Sequence, residues 1–508
     1  MSTTAPGSSE STDRRDSQKL RHGRLGAVAI AFFVISAAAP LTGMAGGAPF
    51  AMLLGNGPGV PFSYAIVTAL MLIFAVGYVA MARHHTSAGA FYSYIARALG
   101  GQAGGAAAWI ALLGYNAMQI GLYGIFGFAA AGTIEVLFGV SVAWWVMAYL
   151  GWASIAILGY RQIDLSLKVL GILVALEFVI VLIFDVMVLA RGGAGATGQA
   201  LSFSSFSMDS LTFGAPALGL LFAAASFVGF EATTIYSEEA KEPSRTVPRA
   251  TYIAVLTIGL FFMVTSWLMV NSYGDDATLV DFIGSPELAD PTNFLFAMAE
   301  PYIGTFLSGK VMVLLFASSI YAALLAFHNA VARYAYALGR EGLVPETLGR
   351  THATHLSPHM GSISQSVLAV IVLSVFVVLG LDPTATLFTW LTQLGTLAIT
   401  YLMAFSAIAV LVFFRRHPQL EGNLWKSTIA PAIAAVGLTV LAIYATSQFG
   451  FLIGDPESVL AWLLPALIAV AVVVGIVSAS MLKSRDPHLF STMGRDRAVQ
   501  LTEDDNVH

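Results

Sequence analysis

No cysteine occurs among the 508 residues, and only 10% of them are charged. The first absence excludes a disulfide framework, thiolate metal sites and cysteine nucleophiles. The second says more, because soluble domains carry about 25% charged residues. What is abundant instead is apolar: 57% of the chain is hydrophobic. With ~20 apolar residues needed to cross the hydrocarbon core, this is material for about a dozen helical spans and little else. The sequence reads as an all-α integral membrane protein with short loops.

Residues 1–24 contain no aromatic residue and too little apolar surface to offset ordering entropy, so a disordered cytoplasmic tail is expected there. Twelve apolar segments follow, at roughly 25–55, 59–82, 101–134, 141–160, 163–190, 214–238, 248–272, 303–338, 362–381, 386–414, 428–448 and 458–482. A second tail is expected at 483–508. Basic residues, an apolar run and Ser36-Ala37-Ala38-Ala39 together imitate a cleaved signal peptide. The hydrophobic segment runs on through Phe50 to Leu54, however, so it is expected to stay in the mature protein.

Counting loops from a cytoplasmic N-terminus places 22 of the 24 Lys and Arg residues inside, with only Arg191 and Lys310 outside. This division satisfies the positive-inside rule and puts both termini in the cytoplasm of a cell membrane protein. The longest outer loop, between segments 7 and 8, instead collects Asp275, Asp276, Asp281, Glu287 and Asp290.

Segments 1 and 6 depart from ordinary helices. Segment 1 carries Ala37-Ala38-Ala39-Pro40-Leu41-Thr42-Gly43-Met44-Ala45-Gly46-Gly47, where a proline and three glycines of low helix propensity lie near mid-depth. Segment 6 carries Ser226-Phe227-Val228-Gly229-Phe230-Glu231, a glycine and a carboxylate inside an apolar run. Irregular backbone at membrane depth is tolerated only where protein or a water-filled cavity satisfies it. Breaks at corresponding positions of two halves point to a secondary transporter with inverted repeats. The repeats would be 25–190 and 214–415, with 428–482 appended. The plain alternative is that Pro40 only kinks a helix and the glycines only permit close packing.

Three stretches carry a family resemblance. They are Ser226 to Ala232 with Ser237-Glu238-Glu239-Ala240-Lys241-Glu242-Pro243-Ser244-Arg245 and Pro248-Arg249-Ala250; Ala335-Tyr336-Ala337-Leu338-Gly339-Arg340-Glu341-Gly342-Leu343-Val344-Pro345; and Ser87-Ala88-Gly89-Ala90-Phe91-Tyr92-Ser93-Tyr94. Together they resemble the amino acid-polyamine-organocation (APC) superfamily of permeases, from Arg24 to Arg485. The resemblance implies a LeuT-like fold of twelve transmembrane helices in a five-plus-five inverted repeat, with helices 1 and 6 unwound and two helices appended. It departs at Ala39-Pro40-Leu41-Thr42-Gly43, where many relatives carry a Gly-Ser-Gly-type break.

A broken helix offers free N–H groups to a carboxylate and free carbonyls to an ammonium. The substrate carboxylate is therefore expected at the backbone of Thr42, Gly43, Met44 and Ala45, and the ammonium near Ala38, Ala39 and Phe227. Met44, Tyr115, Asn116, Val228, Gly229 and Phe230 would line the rest. Tyr115 and Asn116 read equally well as a buried pair bonded to a neighbouring helix, and Phe230 as packing.

Charged residues within the spans are functional candidates by default, and Glu231 and Glu177 stand out as proton-coupling candidates. The resemblance implies proton sensing at the Glu231 position in some members. It aligns Glu177 with a lysine of some proton-driven relatives, which reverses the sign of the charged form. Glu177 could instead hold a structural hydrogen bond. Asp185 reads as an interfacial or outer-vestibule residue. Sodium coupling would need oxygen ligands from segments 1 and 8, and Tyr321 to Phe327 offers no Ser or Thr.

Of His84, His85, His328, His352, His355 and His359, all but His328 have cytoplasmic or loop placement, and with no metal-ligand spacing among them no metal or cofactor is expected. Glu238, Glu239, Lys241, Arg245 and Arg249 read either as an inner gate or as orientation-setting charges. The expected function is proton-coupled import of an amino acid or related amine by a monomer or homodimer in membrane lipid, with no nucleic-acid partner. The rivals are an exchanger without proton coupling, a transport-inactive sensor on the same fold, and an intramembrane enzyme. The last would need a nucleophile, metal box or aspartate dyad within the spans.

Overall fold

The computed structural model describes residues 26–84, 90–161, 167–193, 200–235, 240–274, 276–351 and 358–494. The expected tail at 1–24, the last residues of the second tail, and Glu238, Glu239, His85, His352 and His355 lie outside the described residues.

Among the described residues every regular element is a helix. Among the described residues nine helices are long and apolar enough to cross a membrane, so the chain is a multi-pass membrane protein. Segments 1, 4 and 6 differ from this pattern. Segment 4 is the 18-residue helix Trp144–Arg161, whose tryptophans, tyrosines and glycines leave it less apolar than the rest. Segments 1 and 6 are interrupted. Segment 1 begins as the helix Ala27–Ala37 and resumes as a π-helical stretch, Thr42–Gly47. Segment 6 consists of Pro216–Ala225 and the short turn Ala232–Ile235.

Helix ends follow local chemistry. Proline occupies the first turn of Pro216–Ala225 and Pro243–Tyr273, where its missing N–H costs nothing. Asp382 caps the start of segment 10 by accepting from the N–H groups of Thr384 and Ala385. Gly139, Gly274 and Gly454 close segments 3, 7 and 11 in the left-handed conformation.

Segment 3, Gly101–Phe138, is the central post. It packs against Trp144–Arg161, Val313–Arg340, Thr389–Arg416 and Val459–Arg485. Small residues bring these axes together: a Cβ on Gly395 would sit 2.7 Å from the Gly114 carbonyl oxygen. Such contacts supply van der Waals association where lipid offers no hydrophobic drive. A second group joins Val60–Ala82 to Pro243–Tyr273 and Ala430–Ile453. Outward-facing side chains such as Val436, Val440, Val473 and Val477 are exposed and apolar, as a lipid-facing surface requires.

The two ends of the bundle differ in charge. At one end Arg416 donates to the Ala98 carbonyl at 2.7 Å, and Lys483 lies over Phe490. The other end gathers Asp276, which accepts from Ser204 at 2.5 Å, and Asp290, which accepts from Thr384 at 2.6 Å. The helix Ala90–Leu99, seen in the sequence only as a family motif, lies at the basic end with Phe91, Tyr94 and Ile95 buried and Arg97 exposed.

Candidate functional site

The break in segment 1 is narrow. The first helix stops at Ala37, and Ala39 takes a φ of 45°, a conformation costly for any residue with a Cβ. Pro40 has no N–H, so the leading donor of the half-helix that follows it is Leu41. Its N–H points to Glu177 Oε2 at 3.4 Å. The same oxygen accepts from Ser319 Oγ at 2.7 Å, and Ser319 in turn accepts from Thr42 Oγ1 at 3.0 Å. A buried carboxylate from segment 5 thus sits at the positive end of the half-helix dipole.

The break in segment 6 spans Ser226 to Glu231, where Gly229 has a φ of 103°, a region almost closed to other residues. Glu231 folds back so that Oε2 accepts from the Gly229 N–H at 2.9 Å. Its other oxygen accepts from the Tyr115 hydroxyl of segment 3. Tyr78 and Thr234 hydroxyls bond each other at 2.7 Å beside the Glu231 carbonyl, to which Thr234 donates at 2.8 Å.

The two breaks lie level with one another. Pro216–Ala225 packs on Ala48–Ala51 and Met52–Asn56, while Ala232–Ile235 packs on Ala27–Ala37. Each half of segment 6 therefore runs beside the opposite half of segment 1. A side-chain bridge links the two: Phe262 covers Gly43, so closely that a Cβ there would lie 2.2 Å from the ring. Tyr64 stacks on Phe262 at 5.4 Å, and its hydroxyl reaches Ser226 Oγ at 3.2 Å.

The expected site residues divide accordingly. Tyr115, Gly229 and Glu231 are brought together at one break, and Thr42 and Glu177 at the other. The Gly43 N–H, assigned to a substrate carboxylate, donates to the Ala39 carbonyl at 3.0 Å, and Phe227 keeps its carbonyl on the Phe230 N–H at 3.1 Å. Phe230 packs among Phe74, Tyr78 and Phe91, with centroids 5.9, 6.0 and 6.3 Å away. Asn116 donates to the Leu112 carbonyl of its own helix at 2.7 Å. Met44, Ala45, Ala39 and Val228 are buried, and Ala38 is half-buried.

Three buried polar side chains make contacts that the local sequence does not reveal. Ser319 is the segment 8 hydroxyl that meets the first break, two residues before the stretch Tyr321 to Phe327 inspected for sodium ligands. Asp185, which the sequence offers as an interfacial or outer-vestibule residue, is 4% exposed, accepts from Thr265 Oγ1 at 2.8 Å, and its Oδ1 has no partner among the described residues. His328 is buried on Ser362 at 2.8 Å. Among the described residues no three His, Asp or Glu side chains gather into a metal-binding group. Of the gate charges, Arg245 pairs with Glu242 at 3.4 Å on an exposed turn.

The family model described as amino acid permease matches residues 25–493. The low-affinity putrescine importer PlaP of Escherichia coli (strain K12) is 25% identical over 321 residues, which is 62% of this chain and 67% of that protein. The branched-chain amino acid permease BcaP of Bacillus subtilis (strain 168) is 23% identical over 408 residues, 76% of this chain and 79% of that one. Among solved structures, the Eremococcus coleocola manganese transporter, in complex with an aromatic bis-isothiourea substituted compound, shares the fold with a TM-score of 0.55 at 16% identity. The match covers 93% of this chain and 98% of that one.

Proposed function

The chain belongs to the amino acid permease family, and on that premise we propose that it imports an amino acid or a related small amine across the cytoplasmic membrane by alternating access, coupled to protons. The observation that carries this reading is the pair of level helix breaks, each closed by a buried carboxylate. In this account the chain spans the membrane twelve times, with segments 1–5 and 6–10 as inverted repeats and both termini in the cytoplasm. The antiparallel pairing of the halves of segments 1 and 6 supports the repeat, and the gathering of basic side chains at one end supports the orientation.

Substrate would bind between the breaks, against Ala38, Ala39, Thr42, Gly43, Met44 and Ala45 on one side and Phe227, Val228, Gly229 and Phe230 on the other, with Tyr115 and Asn116 from segment 3. Glu231 and Glu177 would take up the coupled proton. Each now caps a backbone donor, so gain of a proton would release Gly229 or Leu41 and let the half-helix move. A putrescine importer and a branched-chain amino acid permease among the relatives set the substrate panel: small amines and apolar amino acids.

A second reading has its own observation. Thr42, Ser319 and Glu177 place three oxygens at the first break, where a sodium ion could replace the proton. The test is uptake of the labelled panel into proteoliposomes under an imposed proton gradient, with sodium or potassium as the only other cation. Proton-driven accumulation supports the proposal and sodium dependence replaces it. Uptake that needs only internal substrate makes the protein an exchanger, and binding without turnover makes it a sensor.

A further inference from the structure

A cavity of about 370 Å³ opens at the acidic end of the bundle, away from both helix breaks. Its walls come from the outer end of segment 1 (Phe50, Leu53), the loop before segment 8 (Ser285, Asp290), the start of segment 10 (Trp390) and the end of segment 11. None of the residues of either break lines it. The volume lies within the range of small-molecule sites, which are mostly apolar with a few polar groups placed for recognition.

Its polar equipment has one sign. Asp290 is 8% exposed and accepts from the Thr292 N–H at 2.8 Å, from Thr292 Oγ1 at 2.5 Å and from Thr384 Oγ1 at 2.6 Å. All three donors are neutral, and no cationic side chain forms an ion pair with Asp290 among the described residues. A carboxylate has about four acceptor sites, so one remains. Ser285 Oγ, also buried, has no hydrogen-bond partner among the described residues. Asp382, joined to Asp290 through Thr384 Oγ1 at 2.9 Å, adds a second negative charge nearby. Trp390 is tied across the site by its indole N–H on the Leu452 carbonyl at 3.2 Å.

A buried carboxylate without a counter-ion is costly, and a ligand cation removes that cost. Aromatic walls favour the same sign of ligand through their ring faces. We propose that this cavity is a second binding site, selective for a small protonated amine, with the ammonium on Asp290 and Ser285 and the apolar part against Phe50 and Trp390. The site stands independently of the transport reading.

Burial holds the Asp290 carboxyl above the ordinary aspartate range, the Thr292 and Thr384 bonds oppose this, and the Asp382 charge adds to it. The groups facing it are Asp382 and Thr384 of segment 10 and Thr292 of its own loop, while segments 1 and 11 present apolar side chains and backbone to the cavity. Amine binding needs the ionised form, so occupancy should fall on acidification at a higher pH than an ordinary aspartate would set.

The test is calorimetric binding of phenethylamine to the purified full chain in nanodiscs, with phenylacetate and 2-phenylethanol as probes of the same shape and different charge. Two variants are compared with the wild type: Asp290→Asn removes the charge, and Ala385→Trp fills the cavity while leaving the Asp290 bonds in place. Thermal melting confirms that both are folded. The expected result is an amine-binding equivalent that both variants weaken at least tenfold, and that neither neutral nor anionic probe occupies. Unchanged amine binding in Ala385→Trp, or equal binding of the three probes, overturns the proposal. Loss in Asp290→Asn alone would make Asp290 a purely structural latch, and overturns it as well.

Discussion

The two helix breaks solve one problem with different parts. At segment 6 the chain closes its own gap: Glu231 turns back two residues to hold the Gly229 N–H. At segment 1 the cap comes from outside, from Glu177, 136 positions away in sequence. A local cap travels with its own turn, whereas a remote cap ties segment 1 to segments 5 and 8 through Glu177 and Ser319. Protonation of Glu231 would therefore loosen a turn, and protonation of Glu177 would loosen the packing of three segments.

The largest expected effect breaks the local cap. Buried hydrogen bonds to charged groups are worth about 1.5–3 kcal/mol, so Glu231→Gln should lower uptake about 10- to 100-fold, read as initial rate in proteoliposomes. Gly229→Ala attacks the same turn through the backbone. A residue with a Cβ held at that φ costs about 1–3 kcal/mol, and a lowered melting temperature would register it. On the remote side, Ser319→Ala leaves Glu177 with only its 3.4 Å bond to Leu41. The expected loss is about 1 kcal/mol in a denaturation assay, smaller than for Glu177→Ala, which strands both Leu41 and Ser319. The smallest change has the opposite sign. Ala39→Gly relieves the left-handed strain at the first break and should raise stability by up to about 1 kcal/mol. If it instead abolishes transport, the strain itself is part of the gating.

The same contrast explains what could be read from the sequence. Length, apolar runs and charge segregation are one-dimensional properties, and they define a multi-pass helical protein without any knowledge of contacts. Glu231 is legible as a carboxylate inside an apolar run beside the break glycine Gly229. The capping of Leu41 by Glu177 was not, because a contact across 136 positions leaves no periodic trace. Ser319 was overlooked because nothing local tells which turn of an apolar helix faces a break. Phe230 reads from the sequence either as site lining or as packing, and its ring packs with Phe74 and Phe91. Asp185 reads as an interfacial or outer-vestibule residue from its nearness to the segment end, and only tertiary packing against segment 7 reveals that its side chain is buried.

The central claim is that the carboxylates capping the two breaks carry the coupled proton. Its most direct test is the ratio of substrate uptake with and without an inward proton gradient, for wild type, Glu231→Gln and Glu177→Gln in proteoliposomes. The account predicts gradient-stimulated uptake in the wild type, and loss of that stimulation in at least one variant that still exchanges internal for external substrate. Full stimulation in both variants would contradict it and leave Glu231 and Glu177 as structural caps.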